Sequence, residues 1–421
     1  GDNYHALSVL NYTHEKKIDV IYIDPPYNTG NKDFIFNDKY VDPEDGYRHS
    51  KWLSFMEKRL RLSKSLLKDT GVIFISIDDN EQAQLKLLCD DIFGEENFVT
   101  NSVRINKGGG GHDSSLLAIE YDYLLCYSKN KKKTIFNKQL VDLNDPKYRY
   151  KDKYFEKRGK YYLRDLDYRG SYSKSLDYPL KTPDGDSVYP GGKRGEPNTW
   201  RWSKEKVEWG IENGFIVFKK RGDQWKVYIK QYQYVDNKDQ KRIREIPYRA
   251  LIDYKNTLGA RDLREISEQK IFQYPKPIEL IEFVCGLIPN KNAIILDFMA
   301  GTGTTGQAVL DLNKEDGGSR QFILCTNNEN NICTGICYPR MQKVIEGYKN
   351  SRDEQIEGLG GNLKSSKTDF VDAEPTDKNK KRLTEQATEM LCIKEGTFEP
   401  VLDQKDFKIF KNISHYTGII F

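Results

Sequence analysis

Val20-Ile21-Tyr22-Ile23-Asp24-Pro25-Pro26-Tyr27-Asn28-Thr29-Gly30 frames the reading of the whole chain. Val20 to Ile23 reads as a short buried strand that stops at a double proline. Each proline holds the residue before it in extended conformations, so Asp24 and Pro25 are both stiffened. Neither proline has a backbone N–H, so the carbonyls are left to face a ligand. A strand that ends in a carboxylate, a rigid turn and an aromatic ring forms a site where open α/β sheets bind ligands, at the carboxyl ends of strands. The plain alternative is a strand end closed by a Pro-Pro turn.

These residue types suit one kind of acceptor. An exocyclic amino group on a nucleobase is a poor nucleophile, because its lone pair is conjugated into the ring. The Asp24 carboxylate and the Pro25 carbonyl, placed at its two hydrogens, would favour a pyramidal nitrogen. The face of Tyr27 would stack on a base taken out of the helix. Catalysis of this kind rests on positioning and electrostatics and asks for no metal.

Outward from this stretch, Trp52, Leu53, Met56, Leu60, Leu62, Leu66 and Leu67 recur at helical spacing, predicting an amphipathic helix over 51–67. Val72 to Ile77 is a second buried strand, followed by Asp78-Asp79-Asn80-Glu81 and a helix from Gln82 to Phe93. The β-α-β-α order is that of a parallel sheet with crossover helices. Phe98 to Ile105 and Tyr121 to Tyr127 read as strands around the glycine loop Gly108 to Gly111, a loop beside a substrate or a plain linker. Upstream, Asp2 or Asn3 caps a helix carrying Tyr4, Leu7 and Leu10, or lies at the top of an earlier strand. The opening Gly1-Asp2-Asn3, without a methionine, reads as the start of a fragment.

From about 129 to 265 the composition changes. Lysine, arginine, tyrosine and tryptophan are interleaved, as in Lys147-Tyr148-Arg149-Tyr150-Lys151, and four of the five tryptophans fall here. Cations can neutralise phosphates and rings can stack, so a DNA-contacting insert is favoured over a small domain with core tryptophans. The chain then returns to pattern. Lys276-Pro277 precedes a helix with Ile278, Leu280, Ile281, Val284 and Leu287, and Ala293 to Leu296 is a buried strand. It runs into Asp297-Phe298-Met299-Ala300-Gly301-Thr302-Gly303-Thr304-Thr305-Gly306 and another helix. The glycines match the dinucleotide fingerprint of a dehydrogenase. Asp297 argues otherwise, because a carboxylate would repel a pyrophosphate and suits the cationic amino and sulfonium groups of S-adenosylmethionine. After the next strand, Phe322 to Thr326, Glu329 stands where an acid could bind ribose hydroxyls. The tail from Tyr348 is polar, with a helical pattern around Leu383 to Leu391.

The bulk composition sets limits. In 421 residues, 67 basic and 63 acidic side chains leave a formal charge of +4, and 37% are hydrophobic. No signal peptide or membrane-spanning run is present in the sequence, which predicts a cytoplasmic protein. The seven cysteines form no Cys-x-x-Cys and read as reduced thiols; Cys333 and Cys337 lack a neighbouring histidine pair, so no metal site is expected.

Asp24-Pro25-Pro26-Tyr27 is similar to the catalytic motif of amino-methylating DNA methyltransferases, and Asp297-Phe298-Met299-Ala300-Gly301-Thr302-Gly303 looks like their cofactor motif. The catalytic motif comes first, an insert follows, and the cofactor motif comes last. This circularly permuted order resembles the beta class, and aspartate before Pro-Pro-Tyr favours N6 of adenine over N4 of cytosine. Asp-Pro-Pro-Tyr-Asn-Thr-Gly, the Trp52 helix, Tyr274-Pro275-Lys276-Pro277 and Asp316-Gly317-Gly318-Ser319-Arg320 further resemble the modification (Mod) subunit of type III restriction-modification systems.

The resemblance implies an α/β fold, a seven-stranded Rossmann-like methyltransferase sheet built from both ends of the chain. Residues 1–128 would form the catalytic half, 129–265 a target-recognition insert, 266–350 the cofactor half and 351–421 a C-terminal segment. It implies Asp24, Pro25, Pro26 and Tyr27 as catalytic residues. Asp297, Phe298, Ala300, Gly301, Gly303, Thr304, Thr305 and Glu329 would hold S-adenosylmethionine, with Lys276 near its carboxylate and Asp2 and Asn3 near its adenine. Double-stranded DNA is the implied substrate, its target base flipped out of the duplex. A second copy of the chain and a restriction (Res) subunit are the candidate partners. The rival readings are an N4-cytosine enzyme, a non-catalytic DNA-binding subunit and the dehydrogenase.

Overall fold

The computed structural model describes residues 2–30, 35–36, 39–42, 44–108, 117–140, 145–192, 198–242, 245–266 and 275–420. Gly109 to Gly111 and Tyr274, singled out in the sequence, lie outside them. The chain forms two compact units, one of Gly1–Asn137 with Arg249–Phe421 and one of Lys138–Tyr248. In chain order the first unit begins with α1 (Asn3–Thr13), β1 (Ile18–Ile23), α2 (Arg48–Leu66), β2 (Leu67–Ile77), α3 (Gln82–Phe93), β3 (Phe98–Ile105) and β4 (Tyr121–Ser128). The second unit contains β5 (Tyr161–Asp165), α4 (Lys204–Glu212), β6 (Ile216–Arg221) and β7 (Gln224–Tyr232). The first unit resumes with β8 (Leu251–Asp253), α5 (Asn256–Ile266), α6 (Ile278–Gly286), β9 (Ile294–Asp297), α7 (Thr304–Asp316), β10 (Gln321–Leu324), α8 (Tyr338–Glu346) and α9 (Asp377–Glu395). It ends in the hairpin strands β11 (Glu399–Asp403), β12 (Phe407–Lys411) and β13 (Tyr416–Ile420).

The main sheet has seven strands in the order β8-β3-β4-β2-β1-β9-β10. β4 runs antiparallel to both its neighbours, and every other pair is parallel. All six residues of β1 are buried, as expected for a strand covered on both faces. Alternate residues serve the two faces. Ile21 and Ile23 pack with Trp52, Met56 and Leu60 of α2 and Leu85 of α3, while Val20 and Tyr22 pack with Leu280 and Val284 of α6 and Val309 of α7. Each such aliphatic side chain contributes roughly 1.5–3 kcal/mol on full burial.

β1 and β9 come from opposite ends of the chain and pair in register, Val20 with Ile295 and Ile21 with Leu296. Asp19 clasps them at their amino ends. Its carboxylate accepts from the Ile294 N–H (2.9 Å), Asn290 Nδ2 (3.1 Å) and Lys68 Nζ (2.8 Å). This register brings Asp24 and Asp297 out at the same, carboxyl edge of the sheet.

The second unit has its own core of Trp200, Trp202, Val207, Phe215, Ile229 and Tyr232 under an antiparallel sheet ordered β6-β7-β5. Trp200 and Trp202 are packing residues rather than exposed stacking faces. The compositional bounds 129–265 are wider than this unit, because β8 pairs with β3 in the main sheet. No described helix is long and apolar enough to cross a membrane.

Candidate functional site

The turn after β1 is held from both sides of Tyr27. Before it, the Trp52 indole N–H donates to the Pro26 carbonyl at 2.7 Å. After it, Asn28 adopts the left-handed conformation (φ 58) and is buried, with Nδ2 donating to Glu81 Oε1 at 2.5 Å. The expectation that both proline carbonyls face a ligand is therefore corrected. A buried indole N–H needs an acceptor, and Pro26 supplies it.

Lys276 reaches this turn from 252 positions away in the sequence. Its ammonium donates to Asp24 Oδ1 at 2.7 Å and to the Tyr27 hydroxyl at 2.8 Å, and lies 4.8 Å from the Tyr27 ring centroid. The residue sits just before α6, whose N-cap is Pro277 rather than Pro277 being its first helical residue. Burial, with Asp24 adding to it, pushes the Tyr27 phenol well above its ordinary range, so Tyr27 stays neutral and its hydroxyl keeps a proton to donate while accepting from Lys276.

The second turn follows β9. Asp297 is nearly fully buried; its Oδ1 accepts from the Met299 N–H at 2.9 Å and its Oδ2 from the Thr305 hydroxyl at 2.6 Å. Burial pushes its carboxyl up to about 7, and the nearby Asp24 charge acts the same way. Gly301 (φ 49) and Gly303 (φ 83) make the sharp turn, and Gly303 caps α7. A Cβ on Gly303 would also sit 3.0 Å from Cys337 Sγ, so a side chain there is strained twice over. The Ala300 N–H donates to the Cys325 carbonyl at 3.1 Å, tying the turn to the end of β10.

Behind this turn lies Arg340 of α8, which the sequence reading missed. It is buried, donating to Thr302 Oγ1 (3.1 Å), Thr304 Oγ1 (3.0 Å) and Gln307 Oε1 (3.0 Å). Burial lowers its guanidinium to about 10. It staples the first turn of α7 to α8.

Asp2 is the N-cap of α1, accepting from the Tyr4 N–H at 2.8 Å. Asn3 Nδ2 donates to the Phe298 carbonyl at 2.9 Å, which joins the start of the chain to the second turn. Arg59 of α2 holds both, with NH2 on Asp2 Oδ1 (2.8 Å) and Nε on Asn3 Oδ1 (2.5 Å). Arg59 was also missed, although it occupies the apolar face that carries Trp52, Met56 and Leu60, an anomaly visible in the sequence. The Phe298 ring is fully buried among core residues that include Trp52. Its side chain is packing, and its carbonyl is the group that faces Asn3. Glu329 is exposed and bonds only locally, its N–H donating to Asn327 Oδ1 at 3.3 Å.

Asp24, Pro25, Pro26, Tyr27 and Lys276 are thus gathered with Asp297, Ala300, Gly301, Gly303, Thr304 and Thr305 at the ends of two adjacent strands. Asp2 and Asn3 join through Phe298. Such a site offers an acceptor beside an aromatic ring, and a second carboxylate next to a backbone turn suited to close approach.

Residues 18–336 match the family described as DNA methylase, N6_N4_Mtase. The type III restriction-modification enzyme EcoPI Mod subunit of Escherichia phage P1 is 32% identical over 372 residues, covering 78% of this chain and 57% of that one. The type II methyltransferase M.KpnI of Klebsiella pneumoniae is 34% identical over 384 residues, covering 88% and 90%. The StyLTI Mod subunit of Salmonella typhimurium is 32% identical over 373 residues, covering 77% and 51%. The chain spans little more than half the length of these Mod subunits.

Proposed function

The chain belongs to the DNA methylase family, and on that premise we propose that it transfers a methyl group from S-adenosylmethionine to N6 of a flipped adenine in double-stranded DNA. The observation that carries this reading is the emergence of Asp24 and Asp297 side by side at the carboxyl ends of β1 and β9. The donor set fits the cofactor. The buried Asp297 carboxyl, unbalanced by any cation within ion-pairing distance among the described residues, suits a positively charged ligand, and the Gly301-Thr302-Gly303 backbone suits close approach. When bound, the cofactor supplies a methyl group activated by its sulfonium.

This chain's own residues do the rest. Asp24 and the Pro25 carbonyl accept the two hydrogens of the target amine, which frees its lone pair. Tyr27, kept neutral, stacks on the base. Lys276 fixes Asp24 and Tyr27 relative to each other. Asp297 faces the cofactor's positive charge, and Arg340 and Asn3 hold the turn that presents it. Excluding water from such a pocket strengthens each of these contacts.

In this reading residues 138–248 recognise the target. The exposed Lys219 and Arg221 on β6 supply cations that could meet phosphates. The Mod-subunit names of two relatives support a modification subunit that works with a Res subunit; a second copy of the chain and a cytoplasmic location complete the reading. The test is sequencing and nucleoside analysis of DNA from cells expressing the chain. N6-methyladenine at one recurring sequence is the expected result; N4-methylcytosine, or no methylation, overturns it.

A further inference from the structure

The mechanism above leaves the buried carboxylate of Glu81 unused. Glu81 follows β2, the strand beside β1, and its side chain is fully buried. Burying a carboxylate is costly unless it is well paired. Here only one oxygen is engaged. Oε1 accepts from Asn28 Nδ2 at 2.5 Å and lies 2.7 Å from His49 Nδ1, while Oε2 has no hydrogen-bond partner among the described residues. Packing alone would be better served by an apolar side chain of the same shape.

Asn28 explains the arrangement. It directly follows Tyr27, is buried, and is not glycine although its φ is 58. Such a conformation persists where neighbours over-determine it, and the Asn28 side chain has one short acceptor, Glu81. The two hydrogen bonds that bracket Tyr27, Trp52 to Pro26 and Asn28 to Glu81, therefore set where the ring and Asp24 point. Trp52 and His49 both come from the start of α2, so one helix end supports both brackets.

We infer that Glu81 is a positioning residue for methyl transfer, acting through Asn28 to hold the Asp24-Pro25-Pro26-Tyr27 turn in its working geometry. This rests on the methyl-transfer reading of the site. Glu81 touches neither the base nor the cofactor. It fixes the left-handed Asn28, and His49 completes the acceptor's shell.

The experiment compares Glu81→Leu with Glu81→Gln in the full chain. It measures kcat on DNA, calorimetric affinity for S-adenosylmethionine, and amide exchange of the peptide spanning residues 24–30. Leucine removes the short acceptor and leaves Asn28 only the Arg48 carbonyl, 3.4 Å away. Misplacing the turn should lower kcat by about 100-fold, with cofactor affinity unchanged and exchange at Tyr27 to Thr29 accelerated. Glutamine keeps an oxygen for Asn28 and should restore most of the rate and the protection. A Glu81→Leu enzyme with wild-type kcat overturns the inference. So does a parallel loss of kcat and cofactor affinity that glutamine does not repair, which would mark a purely structural role. If the wild type itself transfers no methyl group, the functional reading fails, and the exchange data still decide the positioning claim: equal protection in Glu81→Leu and Glu81→Gln refutes it.

Discussion

Asp297→Asn separates the two demands placed on that carboxyl. Burial raises it from 3.8 to about 7, so between those values the folded protein binds a proton that the unfolded chain has lost. The stability this proton gives is complete below the unfolded value and is lost as pH rises to about 7. Integrated over that window, ionising the buried group costs about 4 kcal/mol. Asparagine carries no charge and has the shape of the protonated acid: its oxygen accepts from the Met299 N–H, and its amide N–H donates to the Thr305 hydroxyl, which turns to accept. The variant should therefore melt close to wild type at pH 4.5 and above it at pH 8, measured without cofactor.

Cofactor binding tests the other demand. A cationic ligand binds the carboxylate, so the proton must leave. At pH 6 most of a proton per site should be released on adding S-adenosylmethionine, read by calorimetry in buffers of different ionisation enthalpy. Asp297→Asn should release none and bind about 10- to 100-fold more weakly, the worth of a charged hydrogen bond. A wild-type binding heat that does not vary with buffer at pH 6, or a variant that melts below wild type at pH 8, would refute the reasoning.

Asp24→Ala should lower methyl transfer by about 100- to 1,000-fold in a labelled-methyl assay while cofactor affinity holds. Lys276→Met should lower kcat more than cofactor affinity, because its two hydrogen bonds go to Asp24 and Tyr27; steady-state kinetics with calorimetry would expose the opposite pattern if its main partner were the cofactor carboxylate. Arg104→Leu leaves the buried Asp122 without its guanidinium and removes the hydrogen bonds that Arg104 donates to the Tyr254 carbonyl and Asn256 Oδ1. Denaturant titration should find it less stable by about 3–5 kcal/mol.

The centre of the sheet was readable from sequence because its signal is local. β1 is an apolar run; α3 and β3 have the right period and emerge with the expected bounds, while β1 begins two residues earlier than expected, at Ile18. The two carboxylates were readable for the same reason, each being the first polar residue after such a run. What was not readable depends on contacts distant in sequence. β8 has one buried residue in three, so no pattern marks it, and only its pairing with β3 makes it a strand. Lys276 was assigned by resemblance to a cofactor carboxylate, and nothing in its flanking residues announces Asp24. Glu81 is a polar residue at a core position, and a period count passes over it. The tryptophans of the second unit suggested stacking faces, but in a unit this small the largest rings are needed for its core.

The Asp19 clasp has a consequence for how the protein is made. The carboxylate on β1 finds its Asn290 and Ile294 partners only after the ribosome has added more than 270 further residues. At about 5–20 residues per second that is a delay of roughly tens of seconds. Throughout it, the most apolar strand of the sheet has an unpaired edge where β9 belongs. The nascent chain carries that edge unpaired until its second half arrives, which makes the pairing of β1 with β9 a late and non-local step of folding.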